Sequence, residues 1–387
     1  MDTRNWILNS NMKIVQVTNK NQLKQFIQFQ LDLYKDCEFF CPPLISDELK
    51  TLDSTSNPAF EVCEAVYYMA VDESGRVLGR IAGIINHRAN SYWNVKKTRF
   101  GWFDFVDDLS VSKALLDAVA EWGRSNGMES LNGPVGFSDM DHEGLLLDHY
   151  DTMQVMAAIY NHPYYIKHYE AYGFEKEMDW LERRLIVPDQ VPEKMQRVAE
   201  IAKERSHLRI LPVHSSKDVL KYVGYSFFDL IDECYKDLYN YSPLTRRQKM
   251  AYSKEYFPIL NYDFVTLVVN ERDELVCVGV TMPNLTKVLR QIKGSLWPMG
   301  WFHLWRTMHA KKHDEVDLLL FAAKEEYQRS GAVALLFSHQ LPNYFRYGVK
   351  NANVTNVLEV NQKSSAIWDG YFDVEYTKRH RAYIKKL

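Results

Sequence analysis

The order of predicted strands and helices repeats once along the chain, and this repeat limits the folds that are possible. Two apolar runs in 65–87 surround Glu73–Gly75 and predict a β-hairpin. The stretch 263–284 predicts a second hairpin, around Glu271–Glu274. In each half an apolar strand and an amphipathic helix come after the hairpin. Hairpins in front of each central helix favour a mixed α+β sheet over a doubly wound parallel sheet.

Length and a proline-containing segment divide this repeat into two domains. The chain has 387 residues, which is too long for one ordinary core and fits two domains of roughly 150 to 200 residues. Pro188 and Pro192 lie between periodic segments and mark the boundary. We therefore expect an α+β protein with domains 1–188 and 189–387, each a mixed, mostly antiparallel sheet flanked by helices.

Three finer predictions follow from local patterns. QVMAAIYN at 154–161 predicts a strand, and 218–239 predicts one long helix. YTKRHRAYIKKL at 376–387 predicts a terminal strand.

Composition narrows the possible partners. The net charge is −3 and the pI is near 6.5, so a contact with DNA or an anionic membrane would have to be local. No stretch approaches the roughly 18 apolar residues of a membrane span. The five cysteines lack the paired spacing of a zinc site, which favours reduced thiols. We expect a soluble, cytoplasmic protein with no DNA partner, no membrane partner and no metal.

The stretch 317–337, DLLLFAAKEEYQRSGAVALLF, carries the most informative motif. An apolar strand runs into a polar turn and then an apolar helix. The N-terminus of such a helix offers backbone N–H groups and a dipole that favour a pyrophosphate. Gly331 would allow the backbone to approach that anion closely.

This turn resembles the Gln/Arg-x-x-Gly-x-Gly/Ala loop with which acyl-CoA N-acyltransferases of the GNAT fold hold coenzyme A. Val333 departs from the loop's last Gly/Ala position. The resemblance implies that the second half binds acetyl-CoA or another acyl-CoA as co-substrate, with a strand amide from 320–322 holding the thioester carbonyl. The implied cofactor-binding residues are Leu320, Phe321, Ala322, Gln328, Arg329, Ser330, Gly331, Ala332, Val333 and Asn361.

The segment after Asn361 resembles the closing segment of the same family, in which a short helix follows and a final strand completes the sheet beside the acyl site. The resemblance implies that the terminal strand completes the second sheet. Trp368 takes the position where many members have a tyrosine that protonates the leaving thiolate, and an indole cannot act as that acid. Tyr371 is either a substitute donor or a core residue with its hydroxyl at the rim. Glu359 is a possible base acting through water, or a solvated surface residue.

The first half resembles the family in a complementary way. Asn161 ends a segment, Tyr169 takes the usual tyrosine position, and Gly173 and Phe174 match the family's Gly-Phe pair. An acidic turn at 107–108 replaces the phosphate loop and would repel a pyrophosphate. We expect that this copy does not bind coenzyme A in the usual manner.

Two further clusters stay open to more than one interpretation. Asp139, Asp141, His142 and Glu143 could bind a metal, could act on an amine substrate, or could form a solvated acidic loop. The stretch 299–313, with Trp301, His303, Trp305 and His309, could line an acyl pocket or belong to the core.

The resemblance as a whole implies a tandem GNAT-like protein, of the type called N-acetyltransferases in bacteria. Such a protein moves an acyl group, acetyl in the first instance, from coenzyme A to a small-molecule or peptide amine. One alternative is a non-catalytic GNAT-like binding module. Another is a Fem-type aminoacyltransferase, which is also built from two GNAT-like domains and uses aminoacyl-tRNA.

Overall fold

The computed structural model describes residues 12–224, 226–361 and 370–387. The strands of the first half are β1 Lys13–Gln16, β2 Cys63–Val71, β3 Val77–Asn86, β4 Lys97–Phe105, β5 Ser130–Gly133, β6 Leu145–Leu146 and β7 Glu175–Ile186. Its helices are α1 Lys20–Leu33, α2 Ile45–Leu52, α3 His87–Trp93, α4 Leu109–Ser125 and α5 Tyr165–Tyr172.

The second half repeats this alternation of strands and helices. Its strands are β8 Arg209–Ile210, β9 Val265–Val269, β10 Leu275–Pro283, β11 Glu315–Ala323, β12 Asn351–Leu358 and β13 Asp373–Lys386. Its helices are α6 Glu193–Arg205, α7 Ser216–Tyr222, α8 Ser226–Tyr235, α9 Arg246–Tyr256, α10 Thr286–Ile292, α11 Gly300–Met308, α12 Glu325–Gln328 and α13 Ala332–Tyr347.

The described strands form one continuous sheet. Its order is β1-β2-β3-β4-β5-β13-β7-β12-β11-β10-β9-β8, and β6 pairs with β13. Each half contributes an antiparallel block that ends in one parallel pair, β4 with β5 and β11 with β12. The predicted mixed, mostly antiparallel α+β architecture is confirmed.

The last strands of the two halves are exchanged. β13, the end of the chain, lies beside β5 of the first half, while β7 lies beside β12 of the second half. β7 and β13 also pair with each other, from Asp373 opposite Ile186 to Ile384 opposite Glu175. The prediction that the terminal strand completes the second sheet is therefore wrong, and a cut near residue 188 would not separate two closed sheets. The division into domains 1–188 and 189–387 stays a prediction.

A buried polar cluster lies on the β7–β13 ladder. Lys378 Nζ lies 3.0 Å from one carboxylate oxygen of Glu182, and His380 Nε2 lies 3.2 Å from the other. All three side chains are at most 4% exposed. Burial alone would raise the pKa of Glu182, but the hydrogen bond from His380 and the charge of Lys378 hold that pKa below its ordinary value. The cluster therefore places a charged pair where the exchanged strands meet.

Apolar helix faces cover the sheet in both halves. On α4, Val111, Leu115 and Val119 are fully buried against the first half of the sheet. In the second half α13 packs on the sheet and α6 packs on α13. The apolar positions that predicted these helices are thus the positions that are buried against the sheet.

Two local predictions are wrong. Residues 154–161 form no strand; Gln154 instead bonds its side chain to the backbone of Cys41 and Ala158. The predicted helix over 218–239 is broken between α7 and α8, where Gly224 has a φ of +53°. A left-handed residue of this kind interrupts a right-handed helix.

We predict that Lys378→Met lowers the free energy of unfolding by about 3 kcal/mol, because it removes one partner of a buried ion pair. The double substitution Lys378→Met/Glu182→Met should recover much of this loss. Chemical denaturation followed by circular dichroism measures both. Lys113→Met, in the exposed pair with Asp117 on α4, is the matched control and should change little. A double variant no more stable than the single one would contradict this account.

Candidate active site

The parallel pair in each half diverges and opens a gap in the sheet. β4 pairs with β5 only from Lys97 to Arg99, and β11 pairs with β12 only from Glu315 to Leu318. Both diverging strands carry an irregularity, at Trp102 in β4, where φ is +45°, and at Leu319 in β11. Bulges of this kind bend a strand away from its partner.

The two gaps open into one cavity of about 1500 Å³. This exceeds the roughly 300 to 1,000 Å³ that is usual for small-molecule sites. Most of its wall is apolar, and both halves contribute to it. Its apolar lining includes Trp102, Phe103, Met156, Tyr160, Trp180, Phe227, Ile231, Val280, Leu318, Leu320, Val357 and Leu358.

The loop after β5, residues 134–144, projects into this cavity and is held by hydrogen bonds. The buried guanidinium of Arg99 donates to the carbonyl oxygens of Gly136 and Phe137, each at 3.3 Å. It also donates to the backbone oxygen of Asn240 at 3.1 Å. Asp141 accepts a hydrogen bond from the Ser138 amide at 3.0 Å. Arg99 therefore fixes the loop to both halves of the protein.

Two carboxyl groups of this loop lie in the cavity wall without full hydrogen bonding. Among the described residues, Asp139 Oδ1 and Glu143 Oε1 have no hydrogen-bond partner. Burial, opposed by a backbone hydrogen bond and Arg99, raises the pKa of Asp139 to about 6. Burial and the nearby charge of Asp139 raise the pKa of Glu143 well above its ordinary value. The interpretation of this loop as simply solvated is wrong.

His142 lies between these acids and also lines the cavity. Although its side chain is exposed to solvent in the open cavity, desolvation by the surrounding protein lowers its pKa, and the neighbouring Asp141 partly opposes that shift. The imidazole is therefore neutral at pH 7 and able to accept a proton. In the described part of the chain, no group of three or more His, Cys, Asp or Glu side chains is arranged to hold a metal ion.

Tyr235 connects the acidic loop with the diverging part of β11. Its hydroxyl donates to the carbonyl oxygen of Phe321 at 2.9 Å. Burial and the nearby charge of Asp139 together raise the pKa of this phenol, which keeps its proton at neutral pH. The carboxylates and the open edge of β11 thus lie in one site, which the sequence did not indicate.

Five of the ten residues predicted to bind the cofactor border the cavity. They are Leu320, Phe321, Ala322, Gln328 and Asn361. Arg329, Ser330, Gly331, Ala332 and Val333 do not. Gln328 donates its side-chain amide to the carbonyl oxygen of Ala323 at 3.0 Å. The strand part of the predicted site therefore adjoins the cavity, and the loop part lies outside it.

Gly331 has a packing role at the N-terminus of α13. Its φ is +83°, and a Cβ there would lie 2.9 Å from the carbonyl oxygen of Val198 and 3.0 Å from the Cβ of Ala202, both on α6. Helix α6 thus covers this turn. Phosphate binding by this turn stays a prediction.

The predicted catalytic residues are dispersed. Tyr371 packs against the core beside α13, with Lys194 Nζ 5.7 Å from its ring centre, and does not border the cavity. Glu359 pairs with Lys176 at 2.6 Å and Arg379 at 3.3 Å, also away from the cavity. Tyr169 borders the cavity and is buried among aromatic rings. Trp368 lies outside the described residues. We assign the base to none of these residues.

The acidic turn before α4 caps that helix. Asp108 accepts a hydrogen bond from the Ser110 amide at 2.8 Å, and Asp107 pairs with Lys167 and His168. The carboxylate of Asp108 thus supplies the acceptor at this helix N-terminus. The absence of the usual coenzyme A binding here stays a prediction.

Two half-sheets of one plan, each with a diverging parallel pair, give this chain a fold that matches the tandem GNAT fold. A tandem GNAT protein from the clavulanic acid biosynthesis pathway, solved without acetyl-CoA, superimposes with a TM-score of 0.56. The alignment covers 97% of this chain and 98% of that chain at 12% identity, a level that shows the fold alone.

Two curated proteins match the chain over nearly its whole length. Protein YghO of Escherichia coli (strain K12) is 23% identical over 378 residues, which cover 95% of this chain and 94% of that protein. The bacterial ceramide synthase of Caulobacter vibrioides (strain NA1000 / CB15N) is 24% identical over 393 residues, 98% of each chain. No protein-family model matches the chain.

We predict that Asp139→Asn stabilises the protein at pH 7.5 by up to roughly 3 kcal/mol, because a pKa unit corresponds to about 1.4 kcal/mol. The pKa of Asp139 is raised from 3.8 to about 6, so wild type carries the full ionisation cost above pH 6. Near pH 4 the carboxyl is protonated in the folded protein and about half protonated in the unfolded chain, so the difference between the two proteins should shrink to less than about 1 kcal/mol.

Thermal unfolding at the two pH values measures this effect. Asp36→Asn, at an exposed position, is the control and should show the same small difference at both. A pH-independent effect of Asp139→Asn would contradict a buried, ionisable Asp139.

Proposed function

We propose that this protein is an N-acyltransferase that moves a long acyl chain from an acyl-CoA to a hydrophobic primary amine inside the cavity. The observation that carries the proposal is the pair of buried carboxyl groups, Asp139 and Glu143, in the wall of a large apolar space. Buried carboxylates without full hydrogen bonding are costly. A bound ammonium group would supply the missing charge and donors.

The donor thioester fits best along the diverging part of β11. Leu319 to Ala323 border the cavity beyond the point where β12 leaves the strand. Backbone amides at such an edge can hold a thioester carbonyl as it gains negative charge. We assign this role to the 320–322 segment, with Gln328 and Asn361 beside it. The acyl chain then lies among apolar side chains such as Val357 and Leu358.

The acceptor amine fits at the acidic loop. Its ammonium group binds Asp139 and Glu143 and passes a proton to Asp139, because only a neutral amine can attack a carbonyl carbon. The new C–N bond forms as the C–S bond breaks, and the second proton that the nitrogen loses passes through water to the leaving thiolate. Asp139 is the base, with a pKa of about 6 that suits work at neutral pH.

The size of the cavity favours substrates longer than acetyl groups. An acetyl group would leave most of about 1500 Å³ of apolar space unfilled. The Caulobacter relative is named a bacterial ceramide synthase, and ceramides are long-chain amides. Both observations support a fatty acyl chain and a long-chain amine as substrates here.

We predict that the protein forms an amide from palmitoyl-CoA and a long-chain primary amine at least about tenfold faster than from acetyl-CoA. Asp139→Asn should lower kcat/KM by a factor of about 10² or more, the usual range for loss of a general base. In wild type kcat/KM should rise with pH through about 6 as Asp139 ionises, and this rise should be missing in the variant. Mass spectrometry of the amide and release of free thiol measure the rates.

Tyr371→Phe is the matched control, because Tyr371 does not border the cavity, and it should leave these rates nearly unchanged. If Tyr371→Phe abolished the reaction while Asp139→Asn did not, the base assignment would be wrong. Binding of palmitoyl-CoA without acylation of any amine would support the non-catalytic alternative.

A further inference from the structure

Five large apolar side chains are exposed close together around α11. Trp297 is 82% exposed, Trp301 is 55% and Trp305 is 53%, and Met299 and Phe302 lie between them. Trp301 and Trp305 are one turn apart on the same face of α11, and Phe302 stacks on Trp305. The interpretation of Trp301 and Trp305 as pocket or core residues is therefore wrong, since they face away from both.

The same segment is strongly basic, although the whole chain is slightly acidic. Residues 286–313 contain Lys287, Arg290, Lys293, Arg306, Lys311 and Lys312 and no Asp or Glu. Lys293, Arg306, Lys311 and Lys312 are exposed. Asp314, just after the segment, lies 3.8 Å from Lys287. The segment that carries the exposed tryptophans is thus strongly positive and exposes four of its cations.

The opposite face of α11 belongs to the cavity. Leu304 and Met308 border it, as do Leu285 and Leu289 from α10. One short helix therefore has an inner face on the candidate active site and an outer face of tryptophan rings. A ligand that crosses this helix layer would pass directly from the outer surface into the cavity.

We propose that the surface formed by 297–312 docks on a bilayer that contains anionic lipids. Tryptophan is favoured at the headgroup level of a membrane, because its ring is apolar and its indole N–H can still hydrogen-bond to water. Lysine and arginine next to such rings are attracted by anionic headgroups. Since no helix in the described ranges is both long and apolar enough to cross a membrane, the contact is peripheral.

Charge and ring chemistry together favour a lipid surface over the other possible occupants. The net charge of the chain is −3, but a two-fold contact between two copies would place this basic surface against the same basic surface of the other copy. The two surfaces would not be complementary in charge. An acidic carrier protein would match the lysines but not a cluster of three exposed tryptophans. The expectation of no membrane partner rested on the charge of the whole chain and did not include this local surface.

Docking at this place also gives a route for water-insoluble substrates, a consequence that rests on the proposed function. The amine or acyl chain would leave the bilayer beside Trp301 and Trp305 and enter the cavity past Leu304 and Met308. Membrane binding itself requires no acyl transfer and is tested without it.

The test is co-sedimentation of the full chain with vesicles of phosphatidylcholine alone and of phosphatidylcholine with phosphatidylglycerol. Wild type should bind the anionic vesicles at least about tenfold more strongly. Trp301→Ser/Trp305→Ser and Lys311→Glu/Lys312→Glu should each reduce that binding by about tenfold or more. Helix α7 offers matched controls, because it exposes Leu220, Tyr222, Lys217 and Lys221 next to an acidic residue, Asp218. Leu220→Ser/Tyr222→Ser and Lys217→Glu/Lys221→Glu should bind like wild type.

Equal binding by wild type and the α11 variants would overturn the proposal. So would capture of an acidic acyl carrier protein in place of vesicles, or a dimer in sedimentation analysis that the tryptophan substitutions dissociate. The α11 variants should still acylate an amine dissolved in detergent, since none of the substituted residues borders the cavity. Variants that lose vesicle binding but keep acyltransferase activity would show that docking and the proposed chemistry are separate properties. A wild-type protein that binds vesicles but acylates no amine would refute the proposed chemistry and leave the docking proposal standing.

Discussion

The pairing of β7 with β13 is the interaction on which the rest of the structure depends. These two long antiparallel strands join the half-sheets, and each lies beside the half from which it does not come. Glu182, Lys378 and His380 place a charged cluster within this ladder, where an error of register would bury unpaired charges. The exchange prevents the two halves from separating, because each needs the other's last strand.

The cavity follows from this arrangement. With the half-sheets held edge to edge, the diverging ends of β4 and β11 open into a shared space. Neither half encloses it alone, since the acidic loop comes from the first half and the open edge of β11 from the second. Arg99 of the first half bonds to Asn240 of the second. Burial, together with the nearby charge of Asp139 from the first half, raises the pKa of Tyr235 in the second. The donor and acceptor sites that we propose thus belong to different halves of one chain.

The sequence predicted the repeated sheet, because hairpins, central strands and amphipathic helices leave local patterns. It could not predict the exchange of β7 and β13, since which half a strand joins depends on pairing between distant residues. It also could not predict the raised pKa values of Asp139 and Glu143, because the sequence of an acidic loop is the same whether the loop is solvated or lies in a cavity wall. Gly331 shows that one motif can have two explanations, because its match to a phosphate loop is equally explained by positive φ and by the contact with α6.

Exposed and buried tryptophans are likewise indistinguishable by spacing. Trp301 and Trp305 have the helical periodicity of core residues, and only the packing of α10 and α11 turns them outward.

The central claim is that the paired carboxyl groups of the cavity recognise an amine. Isothermal titration calorimetry of octylamine and of octanol tests it most directly, because the two ligands share a chain and differ in the group that meets Asp139 and Glu143. The account predicts that octylamine binds at least about tenfold more tightly, a difference of about 1.4 kcal/mol, and that Asp139→Asn/Glu143→Gln removes this preference. Equal affinities for the amine and the alcohol in wild type would contradict it.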